Sequence, residues 1–424
     1  MKNTFYISSP FDTYSGYGAR SRDLIKAIIK SDKYNVKLLS QRWGNTPFGF
    51  CSDHEEWSFL LDYVHDQPQF TEQPDIWMQI TVPNEFQPVG KYNIGVTAGM
   101  ETTIVHGSWV EGINRMDLNL VSSEHSKQVF LNSKFESKNQ QGQSLGIVEV
   151  TKPIEVLFEG ADIEIYKSIS TSSSYPLQLD IKEDFAFLFV GHWLQGELGE
   201  DRKNVGLLIK AFYEVYKNQK NKPALILKTN GAGASYMDRE DILKKIQSIK
   251  SSVNSNDLPN IYLLHGELTD IEMNALYNHP KVKAMVSLTK GEGFGRPLLE
   301  FSLSKKPIMV SGWSGHMDFI NPEFSAIIGG NLKNVHPSAV IPNMILAESQ
   351  WFSPDHGQIG TLMKDIQKNY KNYLEKAKRQ AYRSKTEFNW EKMKEKLDTI
   401  LSKNLPNLAK KIELKLPELK LPNL

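Results

Sequence analysis

Ser287-Leu288-Thr289-Lys290-Gly291-Glu292-Gly293-Phe294-Gly295-Arg296-Pro297-Leu298-Leu299-Glu300 is the stretch on which the fold turns. The mostly apolar run Ala284–Leu288 predicts a short buried strand. A glycine-rich turn follows, and Pro297 suits the first position of a helix, where its fixed φ is already helical and its missing N–H is not needed. A strand, a glycine turn and a helix start together leave backbone N–H groups free to meet an anion. Gly293 and Gly295 carry no side chain, so a phosphate can approach the main chain there. Glu292 and Glu300 flank the turn, and carboxylates accept hydrogen bonds from hydroxyls. Amides for an anion and carboxylates for hydroxyls suit a sugar phosphate or a nucleotide sugar. The plain alternative is a tight turn with two solvated glutamates.

Working outward, strands and amphipathic helices alternate on both sides. Strands are predicted at 4–9, 35–39, 76–81, 92–97, 118–122 and 154–158, with a helix over 19–31. A second run has strands at 185–190, 224–228, 261–264, 284–288 and 308–310, with helices over 205–216, 240–251, 270–277 and 297–304. Such alternation predicts an α/β fold with doubly wound, mainly parallel sheets. Arg42–Trp57 breaks the pattern with aromatic residues, Gly44, Pro47 and Gly49, and is expected to be a loop. Helix is predicted from about residue 360 to 403, and residues 364–403 hold 12 basic and 6 acidic side chains. That basic stretch also fits a partner or membrane surface. The Leu/Pro/Lys-rich end is expected to be extended or disordered.

At 424 residues the chain has room for two or three domains, at roughly 150 residues each. Its 40% hydrophobic and 23% charged content is that of a globular protein with real cores. No run of apolar residues is long enough for a membrane span, and the first ten residues are too weakly apolar for a signal peptide. A single cysteine, Cys51, excludes an internal disulfide, which fits a reducing, cytoplasmic setting. Residues 1–165 carry a net charge of −7 and residues 166–424 of +8, which make the +1 of the whole. An acidic first half counts against a polyanionic partner such as DNA, whose affinity comes largely from neutralised phosphates.

The motif Glu-Gly-Phe-Gly-x-Pro-x-x-Glu, here Glu292 to Glu300, resembles the donor-binding motif of the family 4 retaining glycosyltransferases. The resemblance is sharp from about 185 to 320 and extends as a pattern over most of 1–400. It implies the GT-B fold: two Rossmann-like, doubly wound domains facing a cleft, closed by a C-terminal crossover helix. The expected divisions are an acceptor-side domain at 1–167, a linker at 168–182, a donor domain at 183–385, a crossover helix at 386–403 entered by Phe388-Asn389-Trp390, and a tail at 404–424. The implied activity is transfer of a sugar from a nucleoside diphosphate sugar of UDP or GDP type to a glycan, lipid or other acceptor, with retention of configuration.

Residue by residue, the resemblance assigns Glu292 to the sugar hydroxyls and Glu300 to the ribose. It gives the leaving diphosphate to Lys203, with Arg202 supplying the second cation because His192 stands where the family usually has Arg. Arg202 and Lys203 as a solvated pair is the plain alternative. Gly16 and Gly18, in Ser15-Gly16-Tyr17-Gly18, match the first-domain glycine loop, and a simple strand-to-helix turn fits them equally. His265-Gly266 marks the place where the family's main chain meets the nucleotide base. Phe294 completes the motif. Gly312-Trp313-Ser314-Gly315-His316 resembles a further glycine turn near the donor, with His316 as a lining residue. In Phe158-Glu159-Gly160-Ala161-Asp162, Glu159 replaces the family's usual Asn. Near Thr97–Thr103 the family often has a histidine, and this chain has Glu101 instead. Glu101, Asn84 and Trp109 are candidates for the sugar or acceptor side, although ordinary surface or core positions also account for each. Neither an Asp-x-Asp in these loops nor a histidine–carboxylate cluster is evident, so no metal and no cofactor is expected. Two other functions stay open: a phage-type DNA glycosyltransferase acting on modified bases, and a non-catalytic nucleotide-sugar-binding protein, the latter raised by the missing histidine. A glycan phosphorylase would need a lysine-bound cofactor, for which no signal is present.

Overall fold

The computed structural model describes residues 2–408, apart from 68, 71, 140, 170–176 and 232. The first unit runs β1 (Thr4–Ser9), α1 (Gly16–Ser31), β2 (Asn35–Ser40), α2 (Phe50–Asp53), β3 (Ile76–Ile80), β4 (Tyr92–Thr97), α3 (Gly107–Arg115), β5 (Leu118–Val121), α4 (Glu124–Asn132), a hairpin of β6 (Phe135–Lys138) and β7 (Ser144–Val148), and β8 (Ile154–Val156). The second runs β9 (Ala186–Val190), α5 (Val205–Tyr216), β10 (Ala224–Lys228), α6 (Tyr236–Ser251), β11 (Ile261–Leu264), α7 (Asp270–Asn278), β12 (Val282–Ser287), α8 (Arg296–Ser302), β13 (Ile308–Ser311) and β14 (Ala326–Ile328). A hairpin of β15 (Gly330–Asn334) and β16 (Gln350–Pro354) then leads to α9 (His356–Lys368), α10 (Tyr370–Glu387) and α11 (Trp390–Asn404).

Each unit holds a six-stranded sheet, ordered β2-β1-β3-β4-β5-β8 in the first and β11-β10-β9-β12-β13-β14 in the second. Every described pairing within these two sheets is parallel. Helices cover both faces, so central strands such as β3 (Ile-Trp-Met-Gln-Ile) and β10 (Ala-Leu-Ile-Leu-Lys) are buried along their whole length. Strand order reverses between β1 and β3 in one sheet and between β9 and β12 in the other. Ligands of such sheets sit outside the carboxyl ends of the strands at the reversal.

Periodicity alone predicts one C-terminal helical run, whereas the resemblance predicts a separate helix entered at Phe388-Asn389-Trp390. The helical stretch is broken after Lys368 and again at Phe388-Asn389. Phe388 turns into an aromatic cluster with Phe158 (5.1 Å) and Phe319 (6.0 Å), and the Asn389 side chain caps α11 by accepting from the Lys392 amide. The break aims α11 back at the first unit, where it packs on α1. Ala161 N donates to Phe388 O at 3.0 Å and Trp390 N to Ala161 O at 2.9 Å. Gly160 is required at this crossing, since a Cβ would lie 2.6 Å from Asn389 O. Residues 170–176 of the expected linker and 409–424 of the expected tail lie outside the described residues.

Candidate active site

The two reversal points face one another across a cavity of about 470 Å³. From the first unit it is lined by Tyr14, Ser15, Gly16, Tyr17, Arg20, Trp43, Thr97, Ala98, Glu101 and Glu159, among others. From the second come His192, Arg202, Asn230, Gly231, Glu267 and the run Glu292–Pro297.

The loop after β12 ends in α8, with Gly295 in the left-handed region (φ +95°) and Pro297 in the first turn as predicted. Among the described residues, no protein acceptor takes up the amides of Gly293, Phe294 and Gly295. The glycines also have a second duty. A Cβ on Gly293 would stand 2.7 Å from Ala98 O, and one on Gly291 would stand 1.9 Å from Glu101 O. The turn is therefore pressed against the first unit as well as open to the cavity. Ser122 Oγ donates to Gly293 O at 3.1 Å, and Glu124 N to Asp318 Oδ2 at 2.9 Å, across the same seam.

Arg202 and Lys203 reach this turn from the segment that opens α5. Lys203 Nζ meets Glu292 Oε1 at 2.5 Å. Arg202 Nη1 lies 3.6 Å from Glu292 Oε2, 3.3 Å from Glu101 Oε1, and donates to Gly291 O at 3.1 Å. Arg202 thus bridges the units by holding a carboxylate from each. Burial alone would raise the Glu292 carboxyl, but Lys203 and Arg202 outweigh it and hold it at about 2. Burial pulls the Lys203 ammonium down against the attraction of Glu292. The cluster stays ionised and nearly dry, which strengthens its hold on any charge brought into it.

Glu300 is placed differently from its expected role at the ribose. It is buried behind Arg296, whose Nε donates to Glu300 Oε1 at 2.8 Å and whose Nη1 meets Asp23 Oδ2 of α1 at 2.5 Å. Tyr277 Oη donates to its other oxygen at 3.5 Å. Burial raises the Glu300 carboxyl to about 7, with Arg296 opposing and Asp270 adding to the shift. Arg296, rather than Glu300, forms the cavity wall.

Other expected residues separate in the same way. Gly16 lines the cavity with open space at its Cβ position, whereas Gly18 packs on Thr13, where a Cβ would be 2.4 Å from the carbonyl oxygen. His265 turns away from the cavity to Asp238, with Nε2 2.7 Å from Oδ2. Gly266 sits at φ +102° and donates to Asn230 Oδ1, which places Asn230 and Glu267 on the wall in its stead. Phe294 lines the wall while its ring packs on Phe319. His316 is fully buried, and its Nε2 lies 2.7 Å from Ser311 O. Burial pushes its imidazole down, with the Ser311 carbonyl and Glu292 opposing. Trp109 is a core residue of α3 stacked on Phe130, and Asn84 is exposed on a turn whose carbonyl accepts from Arg115; neither lines the cavity.

Several lining residues escaped the sequence reading. Asn230, Gly231, Gly233 and Ala234 follow β10 and open α6, with Ser235 as its N-cap. This is the same strand–glycine–helix pattern as at Gly293, and it was legible as such. In the sequence Glu159 stands out only as a departure from the family's usual Asn, Tyr17 only as part of the first-domain glycine loop, and Trp43 only as part of the aromatic loop 42–57; none of these signals assigns its residue to the wall. Among the described residues, no group of three or more His, Cys, Asp or Glu is placed to share a metal ion. None of the described helices is long and apolar enough to cross a membrane.

No protein-family model matches this sequence, and no curated protein matches it either. Solved structures do match in shape. A glycosyltransferase from Rickettsia africae superposes with a TM-score of 0.63 at 12% identity, over 96% of this chain and 100% of that one. Anabaena HepE in complex with UDP and glucose gives 0.61 at 13%, over 95% and 100%. The sucrose-phosphate synthase of Thermosynechococcus elongatus gives 0.59 at 11%, over 95% and 99%. With its two facing parallel sheets and returning C-terminal helix, the chain has the GT-B fold.

Proposed function

We propose that the chain is a retaining glycosyltransferase of the family 4 type, which moves a sugar from a UDP- or GDP-sugar to an acceptor hydroxyl. One observation carries the reading: Arg202, Glu292 and the unused amides of Gly293–Gly295 line one cavity between the carboxyl ends of two facing sheets, with Lys203 paired to Glu292 at its edge. The solved HepE complexes hold UDP and UDP-glucose, which makes that cavity the place to test.

In the proposed reaction the bond between the anomeric carbon and the diphosphate oxygen breaks, and its electron pair leaves with the diphosphate. A new bond forms from the acceptor oxygen to the anomeric carbon, and the hydroxyl proton passes to the departing phosphate or to solvent. The growing negative charge is met by Arg202, Lys203 and the amides, all fixed in place beforehand. Glu292 accepts from sugar hydroxyls while holding Lys203. Glu300 acts as a positioning residue through Arg296. The proposal assigns no part to a metal. A thermal-shift panel of UDP, GDP, ADP and their glucose or mannose conjugates tests the reading, repeated with a chelator. One nucleotide class should raise the melting temperature, with and without chelator; no response to any of them would sink the proposal.

A further inference from the structure

The first-unit wall of the cavity holds groups that the donor does not need. Trp43, from the loop after β2, stacks on Tyr17 with ring centroids 4.0 Å apart and planes at 22°. Tyr17 is locked in turn, its hydroxyl 2.9 Å from Thr97 Oγ1 and accepting from the Ala98 amide at 3.1 Å. Both rings line the cavity. Glu159 follows β8 on the same unit and also lines it, although only 8% of its surface is exposed. Among the described residues no hydrogen bond or ion pair within 4 Å reaches its carboxylate. Arg20 and Arg296 are its charged neighbours, but both are committed elsewhere: Arg20 to the carbonyls of Leu157 and Phe158, and Arg296 to Asp23 and Glu300. With no protein donor, the carboxylate relies on the cavity for one, from water or from a ligand that displaces it.

We infer that this wall is an acceptor subsite for a sugar ring, with the Trp43–Tyr17 pair as the platform for its C–H face and Glu159 accepting from its hydroxyls. A pyranose presents both surfaces at once: apolar hydrogens on one face and hydroxyl donors on its rim. An acyl chain has no use for a lone carboxylate. A nucleobase of duplex DNA would have to bring its phosphates against a unit that carries −7 over residues 1–165. Burial raises the Glu159 carboxyl, with Arg20 and Arg296 opposing, so its hold on a hydroxyl donor is sensitive to pH as well as to substitution.

The subsite rests on the donor reading for its place in a reaction, but its binding can be measured apart from it. Saturation-transfer NMR with methyl glucoside, methyl galactoside and methyl mannoside is run on the full chain, with and without UDP or GDP, for wild type, Trp43→Ala and Glu159→Gln. At least one glycoside should bind; Glu159→Gln should weaken it about tenfold or more, the scale of one lost hydrogen bond to a charged group, and Trp43→Ala should weaken it by removing the stacking face. Nucleotide affinity should stay within about threefold, since neither residue belongs to the cation cluster. Circular dichroism and melting temperature confirm that the variants are folded, and Glu159→Asp, which keeps the charge, should retain part of the binding. Glycoside binding that is absent from wild type, or that ignores both variants, overturns the subsite and leaves the donor site standing. Variant-sensitive glycoside binding without any nucleotide binding upholds the subsite and sinks the donor site. Loss on Trp43→Ala of affinity for a duplex carrying hydroxymethylated bases, with no glycoside bound, overturns the sugar assignment in favour of DNA.

Discussion

Gly291→Ala is the substitution that most directly tests whether the closed seam is needed for turnover. Its added Cβ would stand 1.9 Å from Glu101 O and 2.8 Å from Glu101 C. An ordinary carbon–oxygen contact is about 3.3 Å, so the gap must widen by about 1.4 Å. Both partners are backbone, so no side chain can rotate aside, and the simplest relief is to part the two units. At the same displacement the 3.3 Å contact of Arg202 with Glu101 would stretch to about 4.7 Å, too long for an ion pair. Overpacking of this kind costs about 1–3 kcal/mol, here charged against the closed form only. That is about a fivefold to 150-fold loss of closed population. The groups proposed to bind the diphosphate lie in the second unit and would move with it. Donor hydrolysis, read as nucleoside diphosphate release at saturating donor, should therefore fall by that factor, while the calorimetric Kd of the nucleotide stays within about threefold. Small-angle scattering should show a wider molecule. Unchanged release, or a Kd that rises in step with the loss of rate, would refute the reasoning.

Lys203→Ala should weaken nucleoside diphosphate sugar binding about tenfold or more, as one charge-assisted hydrogen bond is worth roughly 1.5–3 kcal/mol; calorimetry with the free nucleotide checks it. Glu300→Ala should act through a displaced Arg296, lowering rate and melting temperature together, and a rate loss without any change in stability would restore a direct contact with substrate. Glu292 is held at about 2 against an ordinary 4.5, so it contributes about 3 kcal/mol of stability that is full above pH 4.5 and lost as pH falls towards 2. Glu292→Gln should flatten that part of the acid-unfolding curve; an unaltered acid limb would mean the cluster is not ionised as described. Trp390→Ala should cost about 3–5 kcal/mol in denaturant melts, because the ring is buried at the α11–α1 contact and its Nε1 donates to Asp23 O at 3.2 Å.

Much of the architecture was legible before any coordinates. Strand runs such as Ala224–Lys228 and the helix Val205–Tyr216 appear as predicted because their signals are local: continuous apolar runs, helical periodicity and turn residues at fixed offsets. The glycine turn at Gly293–Gly295 and the cations at Arg202 and Lys203 were legible for the same reason. The break at Phe388-Asn389 was legible only through the family resemblance, which enters the crossover helix there; helix periodicity continues on both sides, and Phe388 is held by Phe158 and Phe319 from elsewhere in the fold.

What the sequence by itself determined was the alternation that makes two parallel sheets, and the residue types gathered where their strands end. Only the tertiary structure decided which charges pair. Lys203 and Glu292 are 89 positions apart and meet because β9 and β12 are neighbours in the sheet. Glu300 sits behind Arg296 because Asp23 arrives from the other unit, and Trp109 faces the core because α3 packs against the short turn Pro83–Glu85. Periodicity and turn chemistry are carried by a few consecutive residues, whereas burial and ion pairing depend on distances set by the packing of the whole chain.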